Sequence, residues 1–144
     1  MSASTENFIK KIPLFKGLDK RHRTTIAKTV FERSFDAGDT IVKQGEQGLG
    51  MYMIRSGRVE VVRESAGEEQ HLNTLGPGEY FGEIALLTDQ PRTATVRAVE
   101  PTECLVLTAW NFRSEVQQSA DLATQLLKVV GERLARSDKA LSAR

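Results

Sequence analysis

Two charged side chains, Glu83 and Arg92, stand nine positions apart in a stretch rich in small and apolar residues. Pro91 restricts the turn before Arg92, whose planar guanidinium presents a fork of donors that matches two phosphate oxygens at once. Gly82 allows a sharp turn into residues 83–87, which are predicted to form one short helical turn. The first amide N–H groups of such a turn lack internal partners and favour an anion. The pattern therefore predicts a phosphate site.

Glu83 needs a different partner, because a carboxylate beside a phosphate would repel it. A sugar hydroxyl is a neutral donor that suits the acceptor oxygens of a carboxylate. A phosphate site next to a ribose site predicts a nucleotide ligand. The alternative left open is a solvated pair of surface charges, which would contribute little.

Residues 81–96 resemble the phosphate-binding cassette of the cyclic nucleotide-binding domain family, in which F-G-E-x-A-L is followed by P-R-x-A. Every fixed position of that pattern is present. Residues 12–15 and 38–39 resemble the N-terminal helical segment and the first barrel turn of the same family. The resemblance extends through nearly the whole chain, and a domain that keeps this fold without binding a ligand is the alternative.

The resemblance implies that Glu83 binds the ribose 2'-hydroxyl and that Arg92 binds the cyclic phosphate. It also implies that backbone amides near Ala85, Thr93 and Ala94 complete the phosphate cradle. The full predicted binding set is Phe81, Gly82, Glu83, Ile84, Ala85, Leu86, Arg92, Thr93 and Ala94.

Leu86 and Thr93 carry further expectations from the resemblance. Leu86 is expected to be the hinge contact that senses the ligand. A threonine in the place of Thr93 bonds the guanine amino group in some family members, yet members that prefer cAMP carry it too. A β-branched residue that simply opens a strand is an equally good interpretation. We expect cAMP as the ligand, with cGMP as the alternative.

The composition of the whole chain is typical of one compact soluble domain of 144 residues. Its 20 basic and 19 acidic side chains leave a net charge of +1, so no overall field would recruit nucleic acid or an anionic membrane. Cys104 is the only cysteine, which excludes an internal disulfide and suits the cytoplasm. No apolar run is long enough for a membrane span, and the N-terminus lacks the apolar core of a signal peptide.

Glycines recur at short intervals in the middle of the chain and leave strand-length segments between turns. This spacing of glycines predicts a mainly β fold, an antiparallel barrel or jelly roll, over residues 33–108. N-terminal helices are expected within residues 1–32, where Pro13 should stop the first helix and Asp19 can cap the second. C-terminal lid helices are expected within residues 109–144. Ser56 and Gly57 are predicted to form a hairpin turn. Met51 and Met53 fall on one strand face and are predicted to lie in the core.

The last predicted helix carries two apolar stripes, whereas a surface helix needs only one. One stripe can cover the barrel, which leaves the other for a purine base, a second copy of the chain or an effector protein. The resemblance implies a lid residue that packs on the base. The candidates for it are Leu126, Leu127, Val130 and Leu134, and ordinary core packing is the alternative for each.

Catalytic, metal and cofactor sites are not predicted. His22 and His71 are the only histidines and lack the spacing of metal ligands. The glycine-rich run 45–50 is interpreted as a barrel loop, since its order differs from a dinucleotide fingerprint. We therefore expect a binding domain that is not an enzyme.

The end of the chain carries basic residues that are interpreted as a solvated helix face, namely Arg133, Arg136 and Lys139. No residues remain after this helix for a helix-turn-helix unit. A DNA-binding output is therefore not expected.

Overall fold

The computed structural model describes the backbone of residues 3–48, 50–83, 88 and 90–142, and their side chains except those of residues 3 and 137–142. The helices are α1 (Ala3–Lys11), α2 (Lys20–Thr29), α3 (Ala109–Gln118) and α4 (Ala120–Ser142), with a short 3-10 turn at Pro13–Phe15. The strands are β1 (Phe31–Phe35), β2 (Thr40–Val42), β3 (Gly50–Ser56), β4 (Val59–Ser65), β5 (Glu68–Leu75), β6 (Tyr80–Phe81), β7 (Thr95–Ala98) and β8 (Thr102–Thr108).

Helix α2 begins where the sequence predicts it. The Asp19 side chain accepts a hydrogen bond from the backbone N–H of His22 at 3.0 Å, which satisfies one of the amides that a helix start leaves unpaired. Pro13 ends α1 and opens the 3-10 turn. The apolar faces of α1 and α2 contribute Ile9 and Ile26 to one buried cluster, which also contains Ile12 at the start of the 3-10 turn.

The strands of the described residues form two antiparallel four-stranded sheets, in the orders β1-β8-β3-β6 and β2-β7-β4-β5. This confirms the predicted mainly antiparallel β fold with flanking helices, in its jelly-roll form with two facing sheets. Strand β3 is buried on both faces. Met51 and Met53 pack against the helices, as predicted, whereas Tyr52 and Ile54 lie in the core between the two sheets.

The predicted hairpin at Ser56 and Gly57 is wrong. Strand β3 pairs with β8 and β6, whereas β4 pairs with β5 and β7, so the chain crosses from one sheet to the other at this point. Gly57 has a φ of +92°, and a Cβ there would lie 2.4 Å from the carbonyl oxygen of Pro101. Local turn residues could not distinguish this corner from a hairpin, because both need a glycine at positive φ.

The C-terminal helices follow β8 directly. Thr108 caps α3, and the Ser119 side chain accepts a hydrogen bond from the N–H of Leu122 at 3.1 Å at the start of α4. Leu122 and Leu126 of α4 are buried in the helical cluster. Within the described part of the chain, none of the helices is both long and apolar enough to cross a bilayer.

Candidate functional site

Arg92 lies in the loop before β7 with its guanidinium turned into the protein. Only 6% of the residue is exposed. One terminal nitrogen donates to the carbonyl of Gly82 at 3.0 Å and the other to the carbonyl of Gly50 at 2.6 Å. The guanidinium is therefore held in one orientation by two segments that are far apart in sequence.

The loop between β2 and β3 holds the backbone of Arg92. The N–H of Gly45 donates to the Arg92 carbonyl, and the N–H of Arg92 donates to the Glu46 carbonyl, both at 2.8 Å. A Cβ on Gly48 would lie 2.5 Å from the guanidinium, and one on Gly82 would lie 2.6 Å from it. The glycine-rich run 45–50, which the sequence predicts to be a loop, therefore holds the backbone of Arg92 and leaves room for its guanidinium.

The positive charge of Arg92 is poorly compensated. Burial lowers the pKa of Arg92 from its ordinary value, and Tyr52 and Glu83 act in the opposite direction. Its Nε is buried without a hydrogen-bond partner. Among the residues that the structure describes, no carboxylate forms an ion pair with Arg92. A buried cation in this situation is a good receptor for an anion.

Glu83 follows β6 and is 1% exposed. Its Oε1 accepts a hydrogen bond from Arg133 of α4, which also makes an ion pair with it. Its Oε2 is buried and has no hydrogen-bond partner. A buried carboxylate oxygen without a donor is costly, so a neutral hydroxyl donor would be favoured there.

The interpretation of Arg133 as part of a solvated helix face is wrong. Its side chain reaches Glu83, whereas Arg136 is exposed and the side chain of Lys139 lies outside those that the structure describes. The sequence contains no local signal for the pair, because 50 positions separate its two members.

One cleft of about 990 Å³ brings the charged residues together. Glu83 and Arg92 both line it, as do the predicted residues Phe81, Gly82, Thr93 and Ala94. Helix α4 contributes the face formed by Val129, Glu132, Arg133 and Arg136.

Aromatic packing supports the floor of the cleft. Phe81 stacks on Tyr52 with ring centroids 5.1 Å apart and planes 3° apart. Tyr80 also lines the cleft, and burial raises the pKa of its phenol, with Glu83 adding to the effect. Ile84, Ala85 and Leu86 lie outside the described residues, so the hinge and the backbone cradle stay predictions.

The predicted lid residues do not line this cleft. Leu126 is buried in the helical cluster, and Val130 packs partly against the same cluster. Leu127 is 72% exposed and Leu134 is 61% exposed. Contact between a base and any of the four therefore requires a different position of α4.

Facing sheets, flanking helices and a polar cleft closed on one side by α4 define a jelly-roll domain with a small-molecule site. A family model described as "Cyclic nucleotide-binding domain" matches residues 32–119. The chain belongs to the cyclic nucleotide-binding domain family.

Relatives of known identity agree with this assignment. The chain is 36% identical over 118 residues to a cAMP-dependent protein kinase regulatory subunit of Blastocladiella emersonii, an alignment that covers 81% of this chain and 29% of the relative. The catabolite activator protein of Thermus thermophilus superposes with a TM-score of 0.83 and 34% identity, over 90% of this chain and 62% of that one. The protein kinase A regulatory domain of Toxoplasma gondii with cAMP gives a TM-score of 0.76 and 28% identity, over 83% of this chain and 48% of that one.

The chain spans about a third or less of the length of the curated relatives that it matches. These relatives are regulatory subunits that contain a domain of this kind, together with other segments that lie outside the match.

Proposed function

We propose that this domain binds cAMP in the cleft between the second sheet and α4 and acts as a regulatory sensor. The observation that carries the proposal is a pair of buried atoms in one cleft that lack a hydrogen-bond partner, the Arg92 Nε and the Glu83 Oε2. The first suits a cyclic phosphate and the second suits a ribose hydroxyl. cAMP is favoured because two of the relatives above are named for it.

The ligand would compensate both groups at once. An anion beside Arg92 offsets the cost of burying its charge, and the two carbonyl bonds keep the guanidinium aligned for it. The 2'-hydroxyl would donate to Oε2 while Oε1 keeps its bond to Arg133. Affinity and the position of α4 would then depend on the same carboxylate.

Signalling would use the movement of α4 over the base. A ligand shifts a conformational equilibrium only by its difference in affinity for the two states. The predicted lid residues lie away from the cleft here, so a closed state needs α4 to rotate or shift. Arg133 is the contact through which occupancy of the ribose site would reach that helix.

Calorimetric titration of the purified domain with cAMP and cGMP tests the proposal. We expect saturable binding of cAMP, with weaker binding of cGMP. Stronger cGMP binding would assign the ligand to cGMP and would favour a role of Thr93 in reading guanine. Absence of binding to both would overturn the proposal.

The proposed function also includes a cellular compartment and an effector partner. We assign the domain to the cytoplasm and give it no catalytic activity of its own. Its output would pass to an effector protein, as the regulatory subunits among its relatives suggest by name. Absence of cAMP turnover in the calorimeter sample, checked by chromatography, tests the second point.

A second candidate function is dimerisation or effector docking through α4. The observation that favours it is the exposure of Leu127 and Leu134, seven positions apart on one helix, with the half-buried Val130 between them. This spacing is typical of the apolar seam of a helix pair. Sedimentation equilibrium of the parent chain and of Leu127→Lys tests dimerisation. A dimer that the substitution dissociates supports a seam between two copies of the chain. A monomeric parent chain excludes that seam.

A further inference from the structure

The loop that holds the backbone of Arg92 is attached to the second sheet at Gln44. Gly45 and Glu46, whose backbone groups bond Arg92, come directly after Gln44 in the chain. Strand β2 has ended two residues before Gln44, so strand pairing no longer fixes this part of the loop. The backbone N–H of Gln44 donates to the hydroxyl of Thr95 on β7 at 3.0 Å. This bond is the first attachment of the loop to the sheet.

The half-buried side chain of Gln44 makes a second attachment, to β4. Its Nε2 donates to the carbonyl of Glu64 at 3.0 Å, and its Oε1 accepts a hydrogen bond from the backbone N–H of the same residue at 2.8 Å. One of these partners needs a donor and the other needs an acceptor, so together they fix the orientation of the carboxamide. The side chain of Gln44 therefore bonds β4 as the backbone of a neighbouring strand would.

The pairing of the strands explains why Glu64 bonds a side chain. Strand β7 begins at Thr95, which lies opposite Val62 of β4. Glu64 lies two residues further along β4, beyond the beginning of β7. Backbone N–H and C=O groups require partners, and a carboxamide supplies one acceptor and one donor. Gln44 thus satisfies both backbone groups of Glu64 where β7 is absent.

Gln44 is connected to Arg92 through two consecutive loop residues. The N–H of Gly45 and the carbonyl of Glu46 bond the carbonyl and the N–H of Arg92. The same loop continues to Gly48, where an added Cβ would lie 2.5 Å from the guanidinium. A displacement of this loop from the sheet would therefore move both the backbone and the guanidinium of Arg92.

We infer that Gln44 is a positioning residue that holds Arg92 in the orientation that binds the cyclic phosphate. This inference rests on the proposed function. Gln44 does not line the cleft, so its effect on a ligand passes through Arg92. A donor that is oriented before binding gives a higher affinity than one that the ligand has to order.

The first test measures cAMP binding to Gln44→Met by calorimetry. Methionine has a similar length and lacks the donor and the acceptor of the carboxamide. The exposed backbone of Glu64 can then bond water, which limits the damage to the fold. The variant should bind cAMP about tenfold more weakly, the usual effect of one lost hydrogen bond. Gln70→Met, the same change at an exposed position of this sheet outside the cleft, should bind like the parent chain.

Three further measurements distinguish positioning of Arg92 from a general loss of structure. In an Arg92→Leu background, Gln44→Met should cause no further loss of affinity, because two residues that act through one contact are not additive. The preference for cAMP over 2'-deoxy-cAMP should remain that of the parent chain, since it depends on Glu83. Without ligand, the amide hydrogens of Gly45 and Arg92 should exchange faster in Gln44→Met than in Gln70→Met.

Parent-like cAMP affinity of Gln44→Met would overturn the inference and leave the proposed function standing. The same conclusion would follow from an equal tenfold loss in the Arg92→Leu background, from a lost preference for the 2'-hydroxyl, or from unchanged exchange at Gly45 and Arg92. Failure of the parent chain to bind any cyclic nucleotide would overturn the proposed function and the inference with it.

Discussion

At the scale of single residues, the site consists of charges that the protein has oriented and left without full compensation. Arg92 is oriented by two backbone carbonyls, and Glu83 keeps one buried oxygen free. Both arrangements cost stability unless a bound group compensates them. Such costs occur at functional sites, because a ligand then recovers them as binding free energy.

Arg92→Leu should weaken cAMP binding by about 100-fold, because it removes a charge-assisted pair of hydrogen bonds to the phosphate. The free energy of unfolding should change by no more than about 1–2 kcal/mol, since removal of an uncompensated buried cation offsets the loss of two hydrogen bonds. Calorimetry and urea unfolding measure the two effects. Arg58→Leu, a change at an exposed arginine, should alter neither, and unchanged affinity in Arg92→Leu would contradict the phosphate assignment.

Glu83→Ala should abolish the preference for a free 2'-hydroxyl, because alanine has no polar group that could bond the hydroxyl. The preference of the parent chain for cAMP over 2'-deoxy-cAMP should be about tenfold, the usual value of one hydrogen bond, and should fall close to one in the variant. Glu132→Ala removes another carboxylate of the cleft and should retain the preference. A Glu83→Ala protein that still discriminates the two ligands as the parent does would exclude the ribose role.

At the scale of elements, α4 contacts the site through the ion pair between Arg133 and Glu83, and its leucines do not line the cleft. The family resemblance implies an apolar lid residue on this helix, yet the face of α4 toward the cleft carries Glu132, Arg133 and Arg136 beside Val129. Leu122 and Leu126 are buried in the helical cluster and fix the rotation of α4 about its own axis. This rotation determines which polar residues of α4 face the cleft.

Arg133→Met should lower the free energy of unfolding by about 1–2 kcal/mol, because it leaves the Glu83 carboxylate buried without its partner, and partial exposure of Arg133 moderates the loss. It should also speed amide hydrogen exchange in the second half of α4. Lys128→Met lies on the same helix away from the cleft and provides the reference for both measurements. Equal stability and equal exchange in the two variants would show that the ion pair does not hold the helix.

At the scale of the whole molecule, two cores meet at the sheet that contains β3 and β8. Cys104 lies on the side between the sheets and is fully buried. Burial raises the pKa of its thiol from 9.0 to about 12. Because the folded-state pKa is the higher one, this group favours the folded state fully below about pH 9. That contribution is lost as the pH rises toward 12.

The Cys104 thiol should therefore react with a thiol reagent at pH 8 only when the domain opens. Saturating cAMP at about 100 times its dissociation constant should slow the reaction about 100-fold, because it stabilises the folded state by about 2.7 kcal/mol. The Arg92→Leu variant supplies the control, in which the same cAMP concentration should give little protection. Rapid modification of the native domain, with or without ligand, would contradict this account of the core.

Prediction from the sequence succeeded where the physical signal is local. The cap at Asp19, the stop at Pro13 and the inward methionines of β3 each depend on neighbouring residues. It failed at Gly57, since the same local conformation serves a hairpin and a corner between sheets. It also failed at Arg133, because the partner of a long side chain is set by packing across 50 positions.

The sequence by itself determined the family, the glycine spacing that is typical of a mainly β fold, and the residue types at Glu83 and Arg92. These follow from side-chain chemistry and from short-range backbone preferences. Only the tertiary structure decided that the glycine-rich loop before β3 holds Arg92 and that Arg133 bonds Glu83. Each of these depends on strand register and on the rotation of a helix on its core, which long-range packing determines.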